Sequence, residues 1–194
     1  MPDGCSLLIL AGGNSRRMGR DKGSLAAGSL TLIEHIARRL GPVVDEVLMS
    51  LAEPNPDAAR LPVVVDRFPG MGPLAGMHAG LLAAHHPLVW VVACDLPDVE
   101  PALGPFLCGM ADAVDAVVPV VDRDPEGVCA VYRRGLAPKV EALLRSGRRS
   151  VKSLLDEVDC RFVADEELRA VDPTLRSFRN LNTPAEYEAW VRRP

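Results

Sequence analysis

A short, wholly apolar segment near the amino terminus constrains the fold more than any other part of this sequence. Residues 7–10, Leu-Leu-Ile-Leu, continue through Ala11 into Gly12 and Gly13. An apolar run of this length that ends in turn residues is typical of a strand buried on both faces, as in a parallel sheet covered by helices. Paired glycines at the end of such a strand allow the backbone to approach a ligand closely, with amide groups free to point at it.

A cluster of positive charge follows this glycine pair within ten positions: Arg16, Arg17, Arg20 and Lys22. Because ligands of α/β proteins lie at the carboxyl ends of parallel strands, the loop predicts a site for a polyphosphate. The alternative is an ordinary solvated loop, since glycine is common in turns. The spacing fits neither of the two commonest nucleotide fingerprints, G-x-x-x-x-G-K-[ST] and G-x-G-x-x-G.

The composition narrows the class of protein. A chain of 194 residues is long enough for one domain, here residues 1–194, that folds without disulfides. Its five cysteines are dispersed without a Cys-x-x-Cys pair, which favours reduced thiols in the cytoplasm. The net charge of −4 disfavours a nucleic-acid partner, and no apolar stretch reaches the ~20 residues of a membrane helix. We expect a cytoplasmic protein with no membrane partner, and a monomer.

Strand and helix patterns alternate through the first half of the chain. Apolar positions over residues 30–40 recur with helical spacing, and Thr31 with Glu34 has the spacing of a capping box. Predicted strands follow at residues 43–49, before Ser50, and at 62–65. The alternation predicts an α/β fold with three layers, in which helices cover both faces of a mostly parallel, twisted sheet. The short connection between later strands predicts some antiparallel pairing in the second half.

Two further features of the first half lie where a ligand is expected. Asp66 follows a predicted strand, although a solvated turn carboxylate is the alternative. Residues 70–80 form a glycine-rich entry to a helix whose first-turn amides suit an anionic or carbonyl-bearing ligand. Tight helix packing through Gly76 and Gly80 is the alternative there. The apolar face of this helix is predicted to hold Leu74, Met77, Leu81 and Leu82.

Asp95 follows the apolar stretch of residues 87–94, which is typical of a second buried strand. A carboxylate at this position suits Mg²⁺, which binds one or two carboxylates and takes waters and phosphate oxygens as its other ligands. A turn or helix-capping role is the alternative for Asp95. For the nearby Asp98 we expect capping of a helix over residues 102–110.

The second half offers weaker signals. Arg148 and Arg149 adjoin a glycine and suit either an acceptor phosphate or a solvated turn. Near the carboxyl terminus, helix capping explains Thr183 and its neighbours but leaves Asn180 and Asn182 unexplained. The sequence lacks the residue patterns of zinc sites and of serine hydrolases.

Residues 10–22, Leu-Ala-Gly-Gly-x-Ser-x-Arg-Met-Gly-x-Asp-Lys, resemble the signature of the MobA-like nucleotidyltransferases. The Cys-Asp-x-Pro motif around Asp95 and the Asn-x-Asn-Thr-Pro segment that begins at Asn180 extend the resemblance over nearly the whole chain. The resemblance implies a Rossmann-like nucleotidyltransferase fold, with residues 5–100 binding the nucleotide and 101–194 the acceptor. It also implies transfer of GMP from GTP to molybdopterin with Mg²⁺ as cofactor. Other proteins of molybdenum cofactor biosynthesis are then candidate partners.

The resemblance also implies roles for individual residues. The catalytic residues are Arg17, Lys22 and Asp95, of which Asp95 is also the metal ligand. The nucleotide-binding residues are Leu10, Ala11, Gly12, Gly13, Lys22, Ser50, Asp66, Gly72, Pro73, Leu74 and Asp95. The residues assigned to the acceptor or the surroundings of the metal are Arg148, Arg149, Asn180 and Asn182. This sequence departs from the family where Ser50 replaces a frequent Asn, and where Gly127-Val128 replaces Pro-Leu.

The identity of the nucleotide and the acceptor is less constrained. Cytidylyltransferase relatives usually carry Leu-Ala-Ala-Gly where this chain has Leu-Ala-Gly-Gly, which favours guanine here. One alternative is a related nucleotidyltransferase that adds CMP to molybdopterin, or a nucleotide to a sugar phosphate or another phosphate acceptor. A second alternative is a non-catalytic, nucleotide-binding regulatory protein. The presence of Lys22, Asp95 and Asn182 argues against the second alternative.

Overall fold

The computed structural model describes residues 4–11, 25–52 and 61–193. The glycine-rich, cationic loop after the first strand lies outside these ranges. The predictions made for Gly12, Gly13, Arg17 and Lys22 therefore concern residues that are not among those described.

The first half of the described chain alternates strands and helices as predicted. Its elements are β1 (Cys5–Leu10), β2 (Ala26–Ala27), β3 (Leu30–Thr31), α1 (Leu32–Leu40), β4 (Glu46–Leu51), β5 (Val63–Val65), α2 (Pro73–Ala83) and β6 (Leu88–Ala93). The second half contains α3 (Leu103–Cys108), β7 (Ala116–Val121), β8 (Asp124–Pro125), β9 (Cys129–Arg133), α4 (Ala137–Arg145), α5 (Val151–Leu155), β10 (Cys160–Val163), α6 (Asp165–Leu168) and α7 (Pro184–Val191).

Within the described residues, the main sheet has the strand order β10-β7-β9-β6-β1-β4-β5, and β8 pairs with β7. The pairs from β6 through β1 and β4 to β5 are parallel. Strand β9 runs antiparallel to both β6 and β7. The prediction of a mostly parallel sheet with antiparallel pairing in the second half is confirmed.

The sheet is covered on both faces, as the apolar sequence of β1 predicts. Leu7 and Ile9 belong to the core cluster that contains residues of α1 and α3, whereas Leu8 and Leu10 belong to the cluster that contains residues of α2 and α4. Successive residues of a strand point to opposite faces, so β1 must be apolar at each of these positions. This arrangement is the predicted three-layer structure.

The predicted capping box at the start of α1 is confirmed. The Thr31 hydroxyl accepts a hydrogen bond from the backbone N–H of Glu34, and the Glu34 carboxylate accepts one from the backbone N–H of Thr31. The strand expected from residue 43 begins later, at Glu46, because the chain first forms a 3₁₀ helix over Gly41–Val43.

Two glycines allow α2 to lie close to the sheet. A Cβ atom on Gly76 would lie 2.4 Å from Ser50 Oγ, and one on Gly80 would lie 2.1 Å from Leu8 Cδ2. Tight packing, the alternative considered from the sequence, therefore explains both glycines. The predicted apolar face of α2 is wrong at one position, since Leu82 is 45% exposed.

Asp98 has a different role from the predicted one. Helix α3 has Ala102 as its N-cap, without a side-chain cap. The Asp98 carboxylate instead accepts a hydrogen bond from Trp190 Nε1 at 2.8 Å and pairs with Arg193, so it holds α7 against the sheet edge. No helix within the described ranges is long and apolar enough to cross a membrane.

Candidate active site

The parallel strands end side by side and form the floor of the candidate site. Leu10 of β1 pairs with Ser50 of β4 on one side and with Ala93 of β6 on the other. Just past these pairs, the Ala11 N–H donates to Ser50 O at 3.1 Å and the Cys94 N–H donates to Leu10 O at 3.0 Å. The segment that enters the cationic loop is thus fixed between the two neighbouring strands.

Asp66 lies at this edge, directly after β5. Its N–H donates to Leu51 O at 3.0 Å, which fixes its backbone against β4. The side chain is half-buried, and its Oδ1 atom has no hydrogen-bond partner among the described residues. Burial raises the pKa of the Asp66 carboxyl to about 6. A buried acceptor without a partner favours a ligand that brings N–H donors.

The amino end of α2 lies beside Asp66 in sequence and faces the same edge. Gly72 is the N-cap with φ of 70°, a conformation that favours glycine. Pro73 occupies the first turn, and Leu74 is fully buried. First-turn amides have no partners within their own helix, so this end of α2 offers donors to a ligand carbonyl or anion.

Asp95 meets the Asn180–Asn182 segment from the far end of the chain. The Leu181 N–H donates to Asp95 O at 2.8 Å. The Asn182 N–H donates to Glu186 Oε2 at 2.7 Å, within the capping box that starts α7. The fold therefore joins the two motifs that the sequence analysis assigned to one site, although 85 or more residues separate them.

The donor chemistry at Asp95 fits a magnesium ion. The described residues contain no cluster of three or more His, Cys, Asp and Glu side chains that could bind a metal by themselves. Magnesium does not require such a cluster, because it binds one or two carboxylates and completes its shell with water and substrate phosphates. Asp95 is half-buried, and its backbone carbonyl bonds to the Asn180–Asn182 segment, so a carboxylate and amide side chains, both oxygen donors, occur in neighbouring segments here.

A cleft of about 870 Å³ opens on the other side of the α2 amino end. It is bounded by the β8 turn, by the start of α5 and by the edge strand β10. The Arg149 carbonyl lies 3.3 Å from where a Cβ atom on Gly72 would be, so the two halves of the chain meet at this point. The residues that line the cleft include Arg123, Glu126, Arg149, Lys152 and Phe162.

Glu126 is the half-buried acid of this cleft, whose other carboxylates, on Asp124 and Asp156, are exposed. The Ala93 N–H donates to Val128 O at 2.9 Å, which brings the Glu126 turn close to the Asp95 turn. Burial raises the pKa of the Glu126 carboxyl, and the negative charges of Asp124 and Asp95 raise it further. Its carboxylate has no recorded hydrogen bond or ion pair within the described part of the chain.

The two predicted arginines differ in their surroundings. Arg148 pairs with Glu157, and its guanidinium also donates to Ser153 O at 3.0 Å, so it ties α5 to the preceding turn. Arg149 lines the cleft and is exposed. Among the described residues, Arg149 has no ion-pair partner, and the same holds for Arg123 and Lys152. The structure therefore brings Arg149, and not Arg148, to the candidate site.

Sequence reasoning missed the importance of Arg123, Glu126 and Phe162. No role was predicted for any of these three residues. Asp122 and Arg123 join β7 to β8 with φ of 51° and 73°, the geometry of a two-residue hairpin turn, but the sequence lacks the Asn-Gly or Asp-Gly pair that predicts one. Phe162 gave no signal, because an aromatic residue in a short strand usually belongs to the core.

The fold is that of a nucleotidyltransferase, and the chain belongs to the MobA-like NTP transferase family. The profile of the MobA-like NTP transferase domain matches residues 7–165. A protein of Desulfosudis oleivorans named "Molybdenum cofactor guanylyltransferase" is 34% identical over 189 residues, covering 96% of this chain and 94% of that protein. The "Probable molybdenum cofactor guanylyltransferase" of Carboxydothermus hydrogenoformans is 33% identical over 187 residues, with coverages of 96% and 95%.

Solved structures agree with this assignment. The molybdopterin-guanine dinucleotide biosynthesis protein A of Archaeoglobus fulgidus superposes with a TM-score of 0.83 at 27% identity, covering 95% of each chain. The 2-C-methyl-D-erythritol 4-phosphate cytidylyltransferase of Thermus thermophilus has a TM-score of 0.68 at 18% identity, covering 94% of this chain and 95% of that chain. The second likeness concerns the fold alone.

Proposed function

We propose that this chain transfers GMP from GTP to molybdopterin, with release of pyrophosphate, and so makes the guanine dinucleotide form of the molybdenum cofactor. The observation that carries the proposal is the meeting at one sheet edge of Asp66, the amino end of α2, and Asp95 joined to the Asn180–Asn182 segment. The names of the two relatives describe this reaction, and both match the chain along nearly its whole length.

In this proposal residues 5–100 bind the nucleotide. The half-buried Asp66 carboxylate, which lacks a partner for Oδ1, accepts the N1–H and 2-amino donors of guanine. Amides of the first turn of α2, beginning with Leu74, donate to the base or its sugar. Cytosine does not present the same pair of adjacent donors, so Asp66 favours guanine over cytosine. The Ser50 side chain packs beneath Gly76, so in this proposal Asp66 and the α2 amides, and not Ser50, contact the base.

The phosphates lie over the carboxyl end of β1. Leu10 and Ala11 fix the start of the loop, and Gly12 and Gly13 supply amides for the triphosphate. Arg17 and Lys22 offset its negative charge. Asp95, with the Asn180 and Asn182 segment beside it, would hold Mg²⁺. When bound, that ion neutralises charge on the phosphate oxygens.

The chemical step needs positioning more than a strong base. An oxygen of the acceptor phosphate forms a new bond to the α-phosphorus of GTP as the bond from that phosphorus to the pyrophosphate oxygen breaks. The acceptor is already an anion, so no side chain has to remove a proton from it. The protein orients the two reactants and stabilises negative charge on the pyrophosphate that leaves.

Residues 101–194 bind the acceptor in this proposal, apart from the Asn180–Asn182 segment that returns to Asp95. Arg149 is the described arginine best placed to meet the acceptor, whereas Arg148 supports the cleft through Glu157. The cytoplasmic location, the monomeric state and contacts with other proteins of cofactor biosynthesis stay predictions from the sequence.

The proposal is tested by the mass of the pterin product. The purified protein is incubated with Mg²⁺, molybdenum-loaded molybdopterin and either GTP or CTP, and pyrophosphate release is followed in parallel. We expect a GMP adduct with GTP and little product with CTP. A CMP adduct would keep the reaction type and overturn the role of Asp66. Absence of any adduct while GTP still binds would contradict the choice of acceptor or the transferase activity itself.

A further inference from the structure

The cleft beside the active site has an asymmetric distribution of charge. Its cations, Arg123, Arg149 and Lys152, are exposed and have no ion-pair partner among the described residues. An anionic group of a ligand is therefore expected to lie against them. Glu126 repels such a group, so it must face a different part of the ligand.

One wall of the same cleft is aromatic. Phe162 on the edge strand β10 is 47% exposed, although its neighbour Val163 is fully buried. Its ring lines the cleft together with Leu155 and Val128. An exposed aromatic ring in a cleft of about 870 Å³ offers a flat surface on which a planar ring system can stack.

Guanine and the pterin ring share a hydrogen-bonding edge. Each carries a ring N–H between a carbonyl group and an exocyclic amino group, so each presents two adjacent donors to one carboxylate. The chain has a half-buried carboxylate on each side of the α2 amino end: Asp66 on the nucleotide side and Glu126 on the cleft side. Asp66 Oδ1 is buried without a hydrogen-bond partner among the described residues, and Glu126 is a half-buried carboxylate that lines the cleft.

We propose that Glu126 is the specificity-determining residue for the acceptor, reading the two adjacent donors of the pterin ring while Phe162 stacks on that ring. This inference rests on the proposed function, since it takes a pterin phosphate as the acceptor. The phosphate of the acceptor then points toward Arg149 and Lys152. The two reactants are recognised by the same chemistry from opposite sides of α2.

The arrangement has a physical reason. A half-buried carboxylate that accepts two N–H groups regains the hydrogen bonds it lost to burial. A ring in which an oxygen replaces the amino group leaves one carboxylate oxygen facing another acceptor. Sites built around such a pair reject the mismatched ring strongly, because a buried polar group is then left unpaired.

The test compares two acceptor probes, a pterin monophosphate and the corresponding lumazine monophosphate, in which an oxygen replaces the 2-amino group. Binding is measured by the change in probe fluorescence for wild type, Glu126→Gln and Glu166→Gln. Glu166 is an exposed glutamate that does not line the cleft, so it serves as the matched control. We expect wild type and Glu166→Gln to bind the pterin at least tenfold more tightly than the lumazine.

Glu126→Gln is expected to lose this preference or to reverse it, because an amide can donate to the second oxygen of lumazine. Phe162→Ala is expected to weaken both probes by a similar factor of three to ten, whereas Phe162→Trp retains binding. An unchanged preference in Glu126→Gln would overturn the inference. If Glu126 acts only on the metal or on folding, the variant would bind both probes more weakly by the same factor and keep the preference, which would also overturn the inference.

A second readout separates failure of this inference from failure of the proposed function. GMP transfer to molybdopterin is measured with wild type and with Glu126→Gln, together with the KM for GTP. We expect the KM for molybdopterin to rise at least tenfold in the variant while the KM for GTP stays within twofold. If wild type makes the GMP adduct and the variant has an unchanged KM for molybdopterin, the proposed function stands and the role of Glu126 is wrong. If wild type makes no adduct, the proposed function fails, and the probe preference alone decides whether Glu126 reads a ring edge.

Discussion

The two halves of the site are built in different ways. On the proposed nucleotide side, the proposed binding groups follow the carboxyl ends of parallel strands, with Asp66 after β5 and Asp95 after β6. On the cleft side, the antiparallel strand β9 brings its amino end to the same edge, so Glu126 comes from a turn that precedes a strand. The parallel half has a geometry that many sequences share, whereas the other half depends on how one hairpin and one edge strand are shaped.

The difference indicates which side of the site determines the choice of acceptor. Strand ends leave the proposed nucleotide groups little freedom, because Asp66 bonds through its backbone to Leu51 of β4, and Cys94, next to Asp95, bonds to Leu10 of β1. The cleft groups lie on a turn, a helix start and an edge strand, which can change without disturbing the sheet. Variation of the acceptor within one nucleotidyltransferase fold is therefore expected to concentrate around Glu126 and Phe162.

We expect the largest effect from substitution of Asp95, the proposed metal ligand, which serves both the nucleotide side and the acceptor side. Asp95→Ala should lower GMP transfer by about a hundredfold, the usual cost of removing one group that stabilises transition-state charge. GTP and pterin binding should change much less. Turnover and equilibrium binding are measured on the same preparations, with Asp112→Ala, an exposed aspartate before β7, as the control. Near-normal turnover in Asp95→Ala would contradict the proposed role of Asp95.

The next largest effect is expected in the pH dependence of GTP binding. The pKa of Asp66 is raised to about 6, so its carboxylate is ionised at pH 7.5 and mostly protonated at pH 5. A protonated carboxyl cannot accept both guanine donors, and GTP binding should therefore weaken by about tenfold over that range through this group. Asp66→Asn should lack this component while keeping the change that comes from the phosphates. Equal pH profiles for the two proteins would contradict the role of Asp66.

The smallest effect tests how firmly the nucleotide half is packed. Gly80→Ala places a methyl group against Leu8 in a fully buried layer, which should cost about 1–3 kcal/mol of unfolding free energy. Gly135→Ala meets nothing within 4 Å and should be nearly neutral. Thermal unfolding of both variants provides the measurement, with about 2–4 °C expected per kcal/mol. Equal melting temperatures would show that α2 is not in tight contact with β1.

The sequence predicted the parallel half well for a physical reason. Apolar runs such as residues 7–10 and 88–93 mark buried strands, and the residue after each run must lie at the sheet edge. Two motifs far apart in the sequence also suggested that Asn182 belongs with Asp95, and the Leu181–Asp95 hydrogen bond agrees with that expectation.

The cleft was less predictable because its residues come from segments that are distant in the sequence and meet only in the folded chain. Phe162 is exposed only because β10 is an edge strand that borders the cleft. The difference between Arg148 and Arg149 depends on an ion pair with Glu157, eight or more residues away, which the local pattern does not contain. The role of Asp98 was unpredictable for the same reason, since its partners are Trp190 of α7 and Arg193 just after that helix.

The central claim is that a half-buried carboxylate chooses the base, and one substitution tests it most directly. Wild type and Asp66→Asn are each supplied with molybdopterin, Mg²⁺ and equal amounts of GTP and XTP, and the product masses are compared. Xanthine presents an oxygen where guanine has its amino group, so an amide at position 66 pairs with it. If Asp66 selects the base, we expect a GMP adduct from wild type and a predominantly XMP adduct from Asp66→Asn. A variant that still prefers GTP would contradict it.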